Sequence, residues 1–279
     1  MALSQSQKTL LIRIGSALVA VVAVALLYIF FQANGLRFLC YLTVILGARE
    51  LSRLLFSETT PRFVPLVFVA SLGLIFIISA HKPENSTLTF SVISVLIFCY
   101  SIMKESNFGN LESLISFWGK CLIGFLYLGL APAYVFRLLD FSHGISWFCA
   151  LLLIVFAGDT FAYGFGILVG KHKLMPNISP KKTVEGALGG LLGSILASLL
   201  MSQWLVPTSL VYYIVMGACV GIVAQLGDLF ESALKRVANR KDSGSLMPGH
   251  GGILDRLDGV LFGAPVLFLF AEILEKNLI

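Results

Sequence analysis

The sequence predicts an all-α, polytopic membrane protein, and three observations carry that prediction. Apolar residues fill 57% of the 279 positions, and the mean hydropathy is +0.90. Only 13% of residues are charged, against roughly 25% in an ordinary soluble domain. The apolar residues also gather into runs long enough to cross about 30 Å of hydrocarbon. A soluble one- or two-domain fold is excluded by this composition, and no nucleic-acid partner is expected.

About nine spanning helices are expected, near residues 10–31, 36–56, 63–80, 87–103, 118–139, 144–169, 185–205, 209–227 and 257–275. The first run is longer than the apolar core of a signal peptide, and no small-residue cleavage site ends it, so it is expected to span. The five cysteines, Cys40, Cys99, Cys121, Cys149 and Cys219, all lie in apolar stretches, are odd in number and show no CxxC spacing. They read as small apolar fillers, not as a disulfide framework or a zinc site.

Charge orients the chain. With the N-terminus inside, 16 of the 20 Lys+Arg fall inside, leaving only Arg37, Lys82, Arg137 and Lys276 outside. The positive-inside rule therefore predicts a cytoplasmic N-terminus, an outer C-terminus, and polar loops 170–184 and 235–256 on the cytoplasmic side. Contact with anionic lipid is enough to explain Arg49, Arg53, Arg62, Lys104 and Lys120. Glu50, between Arg49 and Ser52, is expected to pair with Arg53. His81, His143 and His172 lie at segment ends and read as interfacial.

The densest polar stretch runs from Gly227 to Asp258, GDLFESALKRVANRKDSGSLMPGHGGILDRLD. Its first part, to Lys241, has no glycine or proline after Gly227 and continues the preceding apolar helix. Asp228, Glu231, Ser232 and Lys235 recur at spacings of three and four and share one face. The loop from Ser243 to Gly252 contains Gly244, Pro248, Gly249, Gly251 and Gly252, whose small size lets backbone N–H groups approach an anion. A second helix follows, with Asp255 and Asp258 three apart and Arg256 beside them. Hard carboxylate oxygens suit Mg²⁺, and lysines and arginines suit phosphates, so the stretch is a candidate polyphosphate site.

Two features upstream fit the same chemistry. Lys181 and Lys182 follow Ser179-Pro180 and precede Thr183 at the start of an apolar helix, where backbone N–H groups and lysines together attract an anion. Asp159 lies in the glycine-rich apolar run VFAGDTFAYGFGILVG. An aspartate at membrane depth is costly and is expected to face the bundle interior or a watery cavity.

Ser232, Leu234, Lys235, Arg236, Lys241-Asp242, Ser243, Pro248, His250-Gly251-Gly252, Asp255-Arg256 and Asp258 together resemble the signature of the phosphatidate cytidylyltransferases, also called CDP-diacylglycerol synthases. The likeness extends more weakly upstream through Gly158 to Tyr163 and Ser179 to Gly186. Before about residue 155, only hydropathy and length agree. The resemblance implies transfer of the cytidylyl group of CTP to phosphatidic acid, giving CDP-diacylglycerol and pyrophosphate in phospholipid biosynthesis. It implies a catalytic region over 106–279 with the signature at 228–258, and N-terminal transmembrane helices over 1–105 that face lipid or form a homodimer interface.

Under that resemblance the catalytic residues are Asp228, Asp255, Lys235, Arg236, His250 and Lys241. Lys181, Lys182, Ser179, Thr183, Arg256, Gly251 and Gly252 bind substrate. Mg²⁺ falls to Asp228 and Asp255 first, with Asp159 and Asp258 as further ligands or their partners, and a second, monovalent cation has a place beside it. His250 is expected to donate a hydrogen bond or stabilise charge, because the nucleophile is already largely dianionic.

Three alternatives remain open at this level. One is a cytidylyltransferase for another lipid phosphate. A membrane transporter predicts acids or broken helices in both halves, whereas residues 1–100 hold almost no intramembrane acid except Glu50. A CDP-alcohol phosphotransferase shares Asp255, Asp258 and Gly259 but needs a longer series of aspartates.

Overall fold

The structure is a computed structural model and describes residues 15, 19, 22–56, 60–61, 63–104, 108, 110–246 and 251–276. The helices are α1 (Val22–Phe31), then α2 (Ala33–Leu55), α3 (Phe63–His81), α4 (Ser86–Met103), α5 (Leu111–Gly124), α6 (Ala131–Leu138), α7 (Gly144–Leu168), α8 (Val184–Met201), α9 (Leu210–Val237) and α10 (Leu254–Lys276). A 3-10 turn, Pro83–Asn85, precedes α4, and a π-helical stretch, Phe125–Leu130, joins α5 to α6. Pro132, in the first turn of α6, has no N–H to return to Leu128, and the helix widens just before it.

Among the described residues, seven stretches are long and apolar enough to cross a membrane: α3, Pro83–Met103, Leu111–Leu138, α7, α8, α9 and α10. They match the third to ninth expected runs. Most of positions 10–21 of the first run lie outside the described residues, and its second half forms the short α1. The second run is helical as expected, but α2 carries Arg37, Arg49, Glu50 and Arg53 and is not among the seven.

Loop 170–184 holds more order than the sequence suggested. Strand β1 (Lys173–Met175) pairs antiparallel with β2 (Ser179–Thr183), Lys173 facing Thr183 and Met175 facing Ser179. Thr183 then caps α8 by accepting from Gly186 N at 3.1 Å. Asn110 and Ser209 cap α5 and α9 in the same way, satisfying N–H groups that helix starts leave open.

Small residues set the helix spacing, as they do where lipid supplies no hydrophobic drive between helices. A Cβ at Gly158 of α7 would lie 2.5 Å from Ser194 Oγ of α8, and one at Gly221 of α9 would lie 2.5 Å from the same hydroxyl. Ser194 Oγ donates to Ile154 O at 3.0 Å and Ser198 Oγ to Tyr213 O at 2.7 Å, so these polar groups are spent between helices. Trp147, Ile154, Tyr213 and Ala264 centre one core. A second core joins Leu51 and Phe68 to Phe125, Leu128 and Leu254, so the N-terminal helices pack directly on α10. All five cysteines are free, with Cys40 and Cys121 buried.

Side-chain contacts group the helix ends into two sets. Arg37–Asp140, Tyr41–His81 and His143–Glu275 tie one end of the bundle. Lys182–Asp228, Ser243–Glu50 and Arg236–Ile178 tie the other. The ribbon, the end of α9 and the start of α10 all belong to this second end.

Candidate active site

Helix α9 runs unbroken from its apolar part into its charged part, so the face predicted from spacing forms. Ser232 Oγ donates to Asp228 Oδ1 at 3.4 Å and Lys235 Nζ to Glu231 Oε2 at 2.5 Å. The helix stops at Val237, four residues before Lys241, where Asn239 adopts φ +53°. At Gly227, a Cβ would lie 2.5 Å from Asp258 O. This close approach of α9 and α10 brings Asp228 beside Asp258.

Helix α10 begins with Asp255 fully engaged. Its Oδ1 accepts from Lys235 Nζ at 2.6 Å. Its Oδ2 accepts from Ser243 N at 2.9 Å, Ser243 Oγ at 2.9 Å and Gly252 N at 2.8 Å. Gly251 has φ +84°, a conformation that glycine adopts readily, and a Cβ there would lie 2.6 Å from Asp255 Oδ2. One turn on, Asp258 is buried, and its Oδ1 accepts from Gly259 N at 2.8 Å.

The ribbon supplies the opposing base. Lys182 Nζ lies 2.7 Å from Asp228 Oδ2. Strand alternation separates Lys182 from its exposed neighbour Lys181. Ser179 is half-buried, and Thr183 is buried with its hydroxyl used as the α8 cap. Glu185 Oε2 accepts from Lys171 N at 3.0 Å, and Oε1 meets His172 Nδ1 at 2.6 Å, which anchors the ribbon to α8. Arg236 Nε donates to Ile178 O at 3.1 Å, tying α9 to the hairpin tip. Lys241 and Arg256 are exposed. His250 lies outside the described residues, as do Pro248 and Gly249 of the signature.

Asp159 of α7 is exposed, yet it stands within the electrostatic reach of Asp228, Lys182 and Arg256. Asp258 is likewise within reach of Asp228, Glu231 and Asp159. Five carboxylates, Asp159, Asp228, Glu231, Asp255 and Asp258, thus gather against three bases, Lys182, Lys235 and Arg256. The formal surplus is two negative charges.

Two buried polar atoms in this cluster, Glu231 Oε1 and Tyr127 Oη, have no hydrogen-bond partner among the described residues. The oxygen donors, the surplus charge and the open lone pair all fit a divalent cation. Among the described residues, no three His, Cys, Asp or Glu side chains converge on one point to hold it. Protein groups alone would therefore fill only part of its shell. A cavity of ≈ 430 Å³, lined by Arg37, Tyr41, His81 and Asp140, lies at the other end of the bundle, away from all these residues.

Four participants escaped sequence reading. Glu50 does not turn to Arg53. Arg53 is exposed, whereas Glu50 is buried and spends its oxygens on Ser243 Oγ at 3.0 Å, Ile253 N at 3.1 Å and Leu254 N at 3.1 Å. The available signal was an acid at membrane depth, but the local i,i+3 arginine offered a nearer partner. Among the described residues of the glycine loop, Gly252 N donates to Asp255, and Gly244 and Gly252 leave room for Glu50. Glu231 and Ser243 sat within the signature stretch without an assigned role. Tyr127 lies in an apolar run and carried no signal at all.

A sequence model described as "Cytidylyltransferase family" matches residues 11–274. The chain is 34% identical to a protein of Staphylococcus saprophyticus named phosphatidate cytidylyltransferase, over 205 residues that cover 71% of this chain and 76% of that one. Proteins of the same name from Staphylococcus aureus (strain COL) and Staphylococcus epidermidis (strain ATCC 35984) are 35% identical over 177 and 176 residues, each match covering 63% of this chain and 65% of the relative.

Proposed function

Because the chain belongs to the cytidylyltransferase family, we propose that it transfers the cytidylyl group of CTP to phosphatidic acid, forming CDP-diacylglycerol and pyrophosphate. The observation that carries this reading is the acid-and-lysine cluster built by Asp228, Glu231, Lys235, Asp255, Asp258 and Lys182 at one end of an apolar bundle. A lipid phosphate held at the membrane surface and a soluble triphosphate can meet at such an end.

In the transfer, a phosphate oxygen of phosphatidic acid attacks the α-phosphorus of CTP. The new P–O bond forms as the bond to the β-phosphate oxygen breaks, and pyrophosphate leaves with that electron pair. The second pKa of a phosphate monoester is about 6, so the nucleophile carries its charge at neutral pH and needs no strong base. The demand on the protein is therefore positioning and charge neutralisation. Lys182 and Lys235 are set against carboxylates that hold their ammonium groups in place, and Arg236, Lys241, Lys181 and Arg256 add positive charge around them. His250 takes a charge-stabilising role.

Mg²⁺ is the cofactor this chemistry calls for, and when bound it neutralises triphosphate charge. Of the four aspartates, Asp255 is the most committed, with four donors on two oxygens. We assign Asp228 and Asp258 to the ion with Asp159 beside them, and Asp255 to holding Lys235 and the loop. Mg²⁺ ordinarily takes one or two carboxylates and completes its shell with water and phosphate, which suits a site where three acids do not converge. A monovalent cation near Glu231 Oε1 is part of the same proposal.

The site end is assigned to the cytoplasmic side of the cell membrane, with the N-terminus there. Arg49, Arg53, Lys104, Lys120, Lys171 and Lys173 crowd that end, and Arg37, Lys82, Arg137 and Lys276 the other. We further propose a homodimer through the apolar N-terminal helices, to be checked by native mass spectrometry.

The deciding assay follows label from CTP into chloroform-extractable lipid, using purified protein with phosphatidic acid, with and without Mg²⁺. Label that requires both supports the proposal, and its absence under every metal tried defeats it. Replacing phosphatidic acid with a prenyl-ether or other lipid phosphate in parallel tells whether another lipid is the true acceptor.

A further inference from the structure

We propose that Glu50, on the N-terminal helix α2, is a positioning residue for the cytidylyl-transfer site, seating the start of α10 and, through Ser243, Asp255 and Lys235. This inference rests on the reaction proposed above. Its geometry, however, stands on its own contacts.

Glu50 is buried at 7% exposure. A carboxylate removed from water needs a full set of donors, and this one draws all of its own from a segment about 200 positions away. Oε1 accepts from Ile253 N at 3.1 Å, and Oε2 from Leu254 N at 3.1 Å and Ser243 Oγ at 3.0 Å. The two backbone groups belong to the opening of α10, where N–H groups lack partners within the helix and the dipole favours an anion. Glu50 is thus a cap supplied by a different helix.

The seat is shaped to this side chain. A Cβ at Gly244 would lie 2.3 Å from Glu50 Oε1, and one at Gly252 would lie 2.4 Å from Oε2. Larger residues at either place would push the carboxylate out. That gives two signature-region glycines a definite reason, which is admission of a carboxylate from α2.

From the seat, contacts run on to the charged cluster. The single hydroxyl of Ser243 sits 3.0 Å from Glu50 Oε2 and 2.9 Å from Asp255 Oδ2, so one proton serves two carboxylates. Asp255 then reaches Lys235 Nζ at 2.6 Å. Loss of Glu50 frees the first turn of α10 and the hydroxyl together, and so shifts Asp255, one of the two carboxylates that hold the ammonium group of Lys235. A displacement near 1 Å in such a group can cost on the order of 10²-fold in rate.

The test uses the full chain in lipid nanodiscs and compares E50Q, E50D and E275Q. Glu275 is a matched buried carboxylate at the opposite end of the bundle, accepting from His143 N, His143 Nδ1 and Trp147 Nε1. E50Q is expected to lower kcat/KM for CTP about tenfold or more, leave KM for phosphatidic acid within about twofold, and speed amide hydrogen exchange at 252–255. E50D should recover part of the loss, and E275Q should lower Tm while leaving turnover per folded molecule unchanged. E50Q with a lowered Tm but full turnover would show a merely structural cap and overturn the proposal.

If the wild-type protein makes no CDP-lipid, the proposed reaction fails, and the exchange measurement still decides the seating. Unchanged exchange at 252–255 in E50Q would refute it. Should E50Q fail to fold, Ser243→Ala removes only the shared hydroxyl and is read by the same criteria.

Discussion

Replacing Gly227 with alanine tests whether the spacing of α9 and α10 sets the site. The added Cβ would lie 2.5 Å from Asp258 O and 2.9 Å from Phe262 Cβ. Ordinary contact begins near 3.4 Å, so the helices must separate or slide by about 0.9 Å. Backbone cannot swing aside as a flexible side chain does, and the next residues on the two strained helices are Asp228 and the turn carrying Asp258. Overpacking of this size costs about 1–3 kcal/mol of stability, and the shift should lower CTP-dependent labelling of lipid on the order of 10²-fold. Gly263→Ala is the control on the same helix pair, because its Cβ would lie 3.3 Å from Val220 Cγ1, a side-chain methyl that can give. Both variants should be assayed in the labelled-CTP reaction with Tm recorded alongside. Wild-type turnover in G227A would refute the claim that this contact positions the aspartates, and an equal loss in G263A would show that any crowding of α10 suffices.

Further outcomes are expected from the other contacts. Asp228→Asn removes a carboxylate assigned to Mg²⁺ and the partner of Lys182, and should lower kcat at least about 10²-fold without changing insertion into the membrane. Mg²⁺ titration of D228N and D258N against D255N should show weaker metal dependence in the first two; a larger metal defect in D255N would reverse the ligand assignment. Lys182→Met should lose rate, whereas Lys181→Met, on the opposite face of the ribbon, should change it less; steady-state kinetics with varied CTP decides, and an equal defect contradicts the ribbon's role in separating them. Trp147→Phe removes one donor from buried Glu275 and should lower stability by about 1–3 kcal/mol while sparing turnover, as measured by thermal melting beside the labelling assay.

Much of this protein was legible because its membrane-spanning elements are decided locally. A helix in lipid must satisfy its own backbone and present apolar side chains, so run length and hydropathy marked α3 to α10 without knowledge of their neighbours. The α9 face was equally accessible, since Asp228, Glu231, Ser232 and Lys235 meet through helix periodicity alone. The charged stretch from Gly227 to Asp258 stood out because so many charges in so apolar a chain require compensation.

What the sequence could not determine are the pairings between distant segments. Glu50 lies beside an arginine in sequence yet docks 193 positions away on Ser243, because burial in the α2–α10 contact removes it from water and the Ser243 hydroxyl and the open N–H groups of α10 compensate it. Lys182 and Lys181 are adjacent in the chain, and only the pleat of β2 sends one to Asp228. Asp255 and Asp258 look alike on one helix face, but the loop fold surrounds the first with donors and, among the described residues, leaves the second buried beside Gly259 N. Tyr127 reaches the cluster solely because α5 and α6 pack there. Composition and period determined that this chain is a helical membrane protein with one densely charged stretch, whereas tertiary packing decided which charges meet.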